Sequence, residues 1–314
     1  MKKFYLPFLL LSVRLTAQMP APDYAASAVE PSRAWLDVDY VGDGITGHKL
    51  DILLPKAGQA PYPVIISIYG SAWFANNLKG TTFTTGLGQR LLKEGFAVVS
   101  VNYRSSTDAK FPAQIQDIKA AVRFIRANSS IFSLTNHFIG ITGWSSGGHL
   151  AALAGTTNNV KADTVNGLVV DLEGRLGKFT GESSRVSAVV DWFGPTDFLI
   201  MDQCGSSLSH DDAKSPESSL IGGPIQENKG KTALANPISY VQGDNPPFLI
   251  FHGDKDPLVP PCESKKLQER LRKERVRCEL IIIPGGGHGP GVMIEKYYDR
   301  MIAFFEQEYK TAGK

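Results

Sequence analysis

Cysteine is scarce in this chain: Cys204, Cys262 and Cys278 are the only three in 314 residues. One disulfide is possible in an oxidising compartment, and one thiol must then be left over, although all three also suit packing or loop positions. No Cys/His cluster has the spacing of metal ligands, so neither a metal nor another cofactor is expected. Basic blocks are missing as well. With a formal net charge of +2, nucleic acid is not expected as a partner. Internal repeats and low-complexity tracts are absent, which excludes a solenoid. No apolar run reaches the roughly 20 residues of a spanning helix, so no membrane anchor is expected.

The apolar run that is present, Phe4 to Val13, follows Lys2 and Lys3 and precedes Thr16-Ala17-Gln18. A short positive region, an apolar stretch and then small residues predict a secretory signal peptide over 1–18, and hence a secreted or periplasmic protein. Without Lys2, Lys3 and Arg14 the formal charge falls from +2 to −1. Residues 19–34 read as a loose leader, and 35–312 as a single catalytic-size α/β domain.

Phe138-Ile139-Gly140-Ile141-Thr142 runs into Gly143-Trp144-Ser145-Ser146-Gly147, and a small-residue helical stretch follows. This is strand, sharp turn and helix. A serine in such a turn takes strained backbone angles, so Gly143 and Gly147 must leave it room. The turn lifts the Ser145 hydroxyl clear and sets the Ser146 N–H at a helix N-terminus, facing any oxyanion that develops there.

Apolar strands are predicted at Trp35–Val41, His48–Leu54, Val64–Tyr69, Phe96–Tyr103, Val186–Trp192, Phe248–His252 and Val276–Ile283, the first two as an antiparallel edge hairpin. Helices are expected between them: from about Thr82 to Glu94, around Phe111 to Ile125, from Cys262 to Arg275 and from Gly291 to about Tyr309. This alternation predicts a mostly parallel sheet with helices on both faces, and ligands beyond the carboxyl ends of its strands. Two polar, irregular insertions stand out, about 157–184 and 198–244. The second is expected to cover the site as a loop.

Other strand ends carry matching chemistry. Gly70-Ser71-Ala72 leaves backbone N–H groups unpaired after one strand, and Trp73 and Phe74 behind them are candidates to line a substrate pocket. His288, in Gly-Gly-Gly-His-Gly after the last strand, is the candidate base for Ser145, whereas His48, His137, His210 and His252 have no such setting. His149 rides the same helix as Ser145 and reads as a structural hydrogen-bonding residue. Arg104 is read as orienting a loop through a carboxylate. For the carboxylate that orients the base, Asp254 and Asp256 are both placed after the penultimate strand.

Ser, Asp and His in this order resemble the α/β-hydrolase fold. The pattern His-Gly-x-x-Asp-x-x-Val-Pro at His252, Gly253, Asp256, Val259 and Pro260 selects Asp256 by that resemblance, leaving Asp254 to cap the turn. More narrowly, Asp191-Trp192-Phe193-Gly194-Pro195-Thr196-Asp197, Ser215-Pro216-Glu217-Ser218, Ile221-Gly222-Gly223-Pro224-Ile225, Asn236-Pro237-Ile238 and Gly287-His288-Gly289 resemble bacterial esterases related to bifunctional acetylxylan and feruloyl esterases. The resemblance implies a Ser145–Asp256–His288 triad and oxyanion donors at the Ser71 and Ala72 N–H groups, assisted by Ser146. It also implies short acyl or hydroxycinnamoyl esters, on a small molecule or a plant polysaccharide, as substrates. One departure stands out. Relatives usually carry His-Gly-Gly-Gly-Trp where this chain has Tyr69-Gly70-Ser71-Ala72-Trp73, which leaves open which N–H donates and whether the Ser71 hydroxyl joins in. A prolyl-oligopeptidase-like serine peptidase, or a carbohydrate-binding protein with a vestigial site, are the rival readings.

Overall fold

The computed structural model describes residues 29–165 and 167–313. The expected signal peptide, and the leader as far as residue 28, lie outside them. Eight strands form one sheet: β1 (Arg33–Asp39), β2 (Lys49–Leu54), β3 (Tyr62–Ile68), β4 (Ala97–Val101), β5 (Leu134–Trp144), β8 (Ala188–Trp192), β9 (Phe248–Gly253) and β10 (Cys278–Ile283). Their order is β1-β2-β4-β3-β5-β8-β9-β10. β1, β2 and β4 pair antiparallel, and every other neighbour is parallel. Strands with both faces covered need no polar side, which is why Val64–Ile68, Ala97–Val101 and Ala188–Trp192 are buried throughout.

The parity of β8 shows the two layers. Val189 faces the helix that follows the nucleophile turn, α4 (Ser146–Thr156), whose Gly155 lies against it. Trp192, three residues on and so on the other face, packs on Tyr298 of the C-terminal helix α8 (Glu295–Ala312). The helix α2 (Leu87–Lys93) lies beside α8, joined by Arg90 to Asp299, and a short turn, α1 (Thr81–Thr84), precedes it. On the α4 face stand α3 (Ala113–Ala127) and α7 (Cys262–Lys273).

Departures from the sequence reading lie in the connections. The insertion at 157–184 contains a two-stranded hairpin, β6 (Ala162–Val165) with β7 (Leu168–Asp171). The cover at 198–244 holds two short helices, α5 (Pro216–Ile221) and α6 (Lys229–Ala235), rather than loop alone. Helix α8 starts at Glu295, not Gly291, because Val292 and Met293 donate to the Gly289 carbonyl in a turn and Ile294 is extended. No described helix is long and apolar enough to cross a membrane.

Candidate active site

Just after β5, which is buried from Phe138 to Trp144, the chain turns at Ser145 with φ 55° and ψ −125°. An L side chain rarely adopts such angles, and they persist only where the surroundings dictate them. Here the dictating contacts are backbone against backbone. A Cβ at Gly147 would overlap the Ile68 and Tyr69 carbonyls, and one at Gly143 would overlap the Gly147 carbonyl. The Ser145 N–H is fixed by the Trp192 carbonyl at 2.9 Å.

His288 reaches this hydroxyl from the loop after β10. Its Nε2 lies 2.9 Å from Ser145 Oγ, and its Nδ1 lies 2.7 Å from Asp256 Oδ2. With Nδ1–H donating to the carboxylate, Nε2 is left as the acceptor for the serine proton. The ring edge rests on Phe193, centroids 4.7 Å apart. Asp256 Oδ1 accepts from the Leu258 and Val259 N–H groups at 2.9 and 3.0 Å. Burial alone would raise its carboxyl, but hydrogen bonding to His252 and His288 holds it well below the usual carboxylate range. It is therefore ionised wherever His288 needs it. Asp254 does more than cap its turn: it accepts from the Gly285 N–H and so ties the acid loop to the base loop.

His252, read from the sequence as lacking a setting, stands beside this carboxylate, with Nε2 3.4 Å from Asp256 Oδ2. Its Nε2 also faces the Val259 carbonyl at 2.8 Å and its Nδ1 the Ser264 hydroxyl at 2.6 Å. The contact arises because β9 ends at Gly253 and folds back, which strand prediction does not reveal.

The loop from Gly70 passes against the nucleophile: a Cβ at Gly70 would sit 2.6 Å from the Trp144 carbonyl oxygen and 2.8 Å from Ser145 Cβ. Ala72 and Trp73 both have positive φ, 50° and 59°. Of the three expected oxyanion donors, Ser71 is already engaged. Its N–H donates to Ser146 Oγ at 2.8 Å, and its hydroxyl lies 3.2 Å from the Tyr103 hydroxyl and 3.4 Å from the Ala75 N–H. The Ala72 N–H pairs with no acceptor among the described residues. The Ser146 N–H, in the first turn of α4, has no intrahelical partner by construction.

Trp73 does not line an open pocket. It is 1 % exposed, and its indole N–H donates to His149 Nδ1 at 3.2 Å. Phe74, next in the chain, is the exposed one, at 46 %. His149 is structural, as expected: Nε2–H donates to the Ala235 carbonyl at 2.8 Å, which leaves Nδ1 bare for Trp73. Burial pushes this imidazole down to about 4, against a smaller opposing effect of the Ala235 bond, so it stays neutral. Arg104 likewise orients its loop through a carboxylate, bonding the buried Asp117 at 2.6 Å.

The cover packs down on this machinery. Phe198 meets the Trp73 and His149 rings, centroids 5.4 and 5.0 Å away. Ser206 and His210 bond the Leu258 carbonyl, and Ser207 bonds that of Pro257, so the cover holds the acid loop. Cys204 and Cys262 form a disulfide across the same seam, and Cys278 is free. Glu263 brings a third donor beside those two sulfurs, but the disulfide leaves the carboxylate as the sole metal-binding group of the three. A cavity of about 310 Å³ opens at the other end of the sheet, among Arg126, His137, Asn158, Arg185 and Asp244, and none of the candidate residues lines it.

Comparison with known proteins finds esterases. Esterase LipQ of Mycobacterium tuberculosis is 32% identical over 210 residues, which are 67% of this chain and 46% of that protein. The chain spans about half the length of the curated relatives it matches. Among solved structures, a truncated carbohydrate esterase from gut microbiota is 46% identical with a TM-score of 0.86, over 92% of this chain and 99% of that one. A bifunctional GH43-CE protein of Bacteroides eggerthii is 51% identical with a TM-score of 0.83, over 88% of this chain and 38% of that one. The BD-FAE family model matches residues 50–271, a span that includes both Ser145 and Asp256. With that match covering more than half of its length, the chain belongs to the BD-FAE family, esterases and lipases built on the α/β-hydrolase fold.

Proposed function

We propose that the chain is a secreted or periplasmic serine esterase that hydrolyses short acyl or hydroxycinnamoyl esters on plant polysaccharide. One observation carries the reading: a single imidazole bridges Ser145 Oγ at 2.9 Å and the Asp256 carboxylate at 2.7 Å. His288 Nε2 takes the hydroxyl proton as Ser145 Oγ attacks the ester carbonyl. The tetrahedral oxyanion lies against the α4 N-terminus, where the Ser146 N–H points at it. The C–O bond to the alcohol then breaks, and the alcohol leaves with the proton from His288. Water, deprotonated in turn by His288, attacks the acyl-enzyme; the bond from the acyl carbon to Ser145 Oγ breaks, Oγ takes the proton back from His288, and the acid is released.

Three features support the finer terms. The exposed ring of Phe74, next to the oxyanion loop, offers an apolar face to an acyl or aryl group. Similarity to the carbohydrate esterase and the GH43-CE protein named above supports carbohydrate esters as the first substrate class to try. The Cys204–Cys262 disulfide suits the oxidising compartment that the N-terminal segment suggests.

The test is a panel of acetylated xylan, methyl ferulate, p-nitrophenyl esters of rising chain length and a chromogenic peptide, run on wild type and Ser145→Ala. Loss of turnover on the order of 10⁴-fold or more is expected in the variant. Full p-nitrophenyl acetate hydrolysis by Ser145→Ala would exclude the mechanism. Preference for peptide over ester substrates would exclude the substrate class.

A further inference from the structure

The oxyanion loop of this chain carries side chains at 71 and 72, and two of its non-glycine residues have positive φ. Nothing in the loop's own sequence favours that conformation. Something outside it must hold the N–H groups in place.

A cluster of three buried or half-buried hydroxyls sits directly behind it. Ser146 Oγ, 2 % exposed as a residue, accepts the Ser71 N–H at 2.8 Å. The Tyr103 hydroxyl, on a fully buried residue, lies 3.4 Å from Ser146 Oγ, 3.2 Å from Ser71 Oγ and 3.2 Å from the Tyr69 carbonyl. The protons can be assigned without conflict. Tyr103 O–H donates to the Tyr69 carbonyl, so its oxygen is free to accept from both serine hydroxyls. Ser71 Oγ accepts the Ala75 N–H, and Ser146 Oγ accepts the Ser71 N–H. Burial keeps the phenol protonated, with its pKa pushed up to about 12 against the smaller effect of the serine contacts. Every donor in the cluster has an acceptor, and none of them is the substrate.

We propose that the Ser146 hydroxyl, braced by Tyr103, is a positioning group for the oxyanion site. By taking the Ser71 N–H it removes that donor from the site, pins the loop, and leaves the Ala72 and Ser146 N–H groups as the pair that receives the oxyanion. Ser146 thus acts twice, with its backbone toward the reacting ester and its side chain away from it. The proposal rests on the hydrolytic reading above and adds which donors that reading uses.

The experiment begins with fluorophosphonate labelling of wild-type protein at Ser145. Labelling establishes the nucleophile, and its absence would remove the hydrolytic reading and this proposal with it. Ser146→Ala and Tyr103→Phe are then assayed on p-nitrophenyl acetate and titrated with phenylboronic acid, which forms a tetrahedral adduct on the serine. For Ser146→Ala, kcat is expected to fall roughly 10- to 100-fold with KM within about threefold, and boronate affinity to fall with kcat. Tyr103→Phe should move both quantities in the same direction by a smaller factor. If Ser71 were the donor, freeing its N–H would leave kcat unchanged or raise it, and that result overturns the proposal. So does a fall in kcat with wild-type boronate affinity. Thermal melts run alongside show whether Ser146→Ala folds; if it does not, the kcat and boronate response of Tyr103→Phe decides.

Discussion

The nucleophile turn at 143–147 carries Ser145, the cover at 198–244 packs on the acid loop and on His149, and the two are held by opposite means. The turn is fixed by backbone pressed on backbone: Gly147 against the Ile68 and Tyr69 carbonyls, and Gly143 against Gly147. No side chain can be added at either glycine without moving the sheet. The cover is fixed by side chains and one disulfide: Ser206, Ser207 and His210 on the carbonyls of Pro257 and Leu258, and Cys204 on Cys262. Each of those can be removed singly. The part that must not yield is built from atoms every residue has, and the part that packs over it is built from atoms selection can change.

The comparison breaks most easily at the turn. Gly147→Val is expected to yield little or no folded protein, because its side chain would occupy the space of the Ile68 carbonyl. Soluble, active Gly147→Val would show that the turn is not rigid in this sense. Next comes the acid loop, where turn and cover meet. Asp256→Asn should fold, since the amide oxygen can still accept the Leu258 and Val259 N–H groups. Its kcat is expected to fall on the order of 10³- to 10⁴-fold, through loss of the tautomer that leaves Nε2 bare. A drop below tenfold would show that Asp256 does not orient His288.

The cover should fail differently. The disulfide closes a segment with a sequence separation of 58. Replacing both Cys204 and Cys262 by serine is expected to cost about 2–4 kcal/mol of stability, read by urea titration. KM for a bulky ester such as methyl ferulate should rise while kcat for p-nitrophenyl acetate changes by less than about threefold. An equal fall in kcat on both substrates would mean that the cover is part of the rigid machinery after all.

How far these regions are legible in the sequence follows from the same distinction. The nucleophile turn is written in five consecutive residues between an apolar strand and a small-residue helix, so its geometry is local. Asp256 and His288 are legible as strand-end residues. The contacts that tune them are not, because His252 meets Asp256 only after β9 folds back, and Tyr103 meets Ser146 only once β4 and β5 flank β3 in the sheet. The cover carried signals too weak for periodicity to find. Ser215 caps α5 by accepting the Ser218 N–H, Pro216 stands at its first turn and Gly222 ends it at φ 82°, but six residues show no repeat. The hairpin β6–β7 surrounds an Asn-Gly pair, a turn signal passed over inside a polar stretch. Trp73 was misplaced because two adjacent aromatics read alike in sequence, although one points inward and the other outward.

One residue belongs to both regions. His149 stands in the first turn of α4, four residues after Ser145. It joins the oxyanion loop through Trp73 and the cover through the Ala235 carbonyl. The Trp73 bond requires a neutral ring, because protonating Nδ1 would set it against the indole N–H. Its folded-state value of about 4 lies below the ordinary 6.5, so between those values the unfolded chain binds the extra proton. Stability from this group is therefore complete above pH 6.5 and is lost as pH falls toward 4, by roughly 3 kcal/mol in total. Asp191 and Glu263 act in the other direction over nearly the same window. Burial pushes both up to about 7, so each loses its contribution as pH rises from the ordinary carboxyl range. The bare stability profile thus mixes opposing slopes, and the difference between wild type and His149→Gln isolates the histidine. Glutamine can still accept from Trp73 and donate to Ala235, and it does not titrate. The variant is expected to lose less stability than wild type between pH 6.5 and 4.5, while near pH 7.5 the two differ by a pH-independent offset. Parallel profiles across the whole range would show that His149 titrates normally, and that the turn and the cover are not coupled through a neutral imidazole.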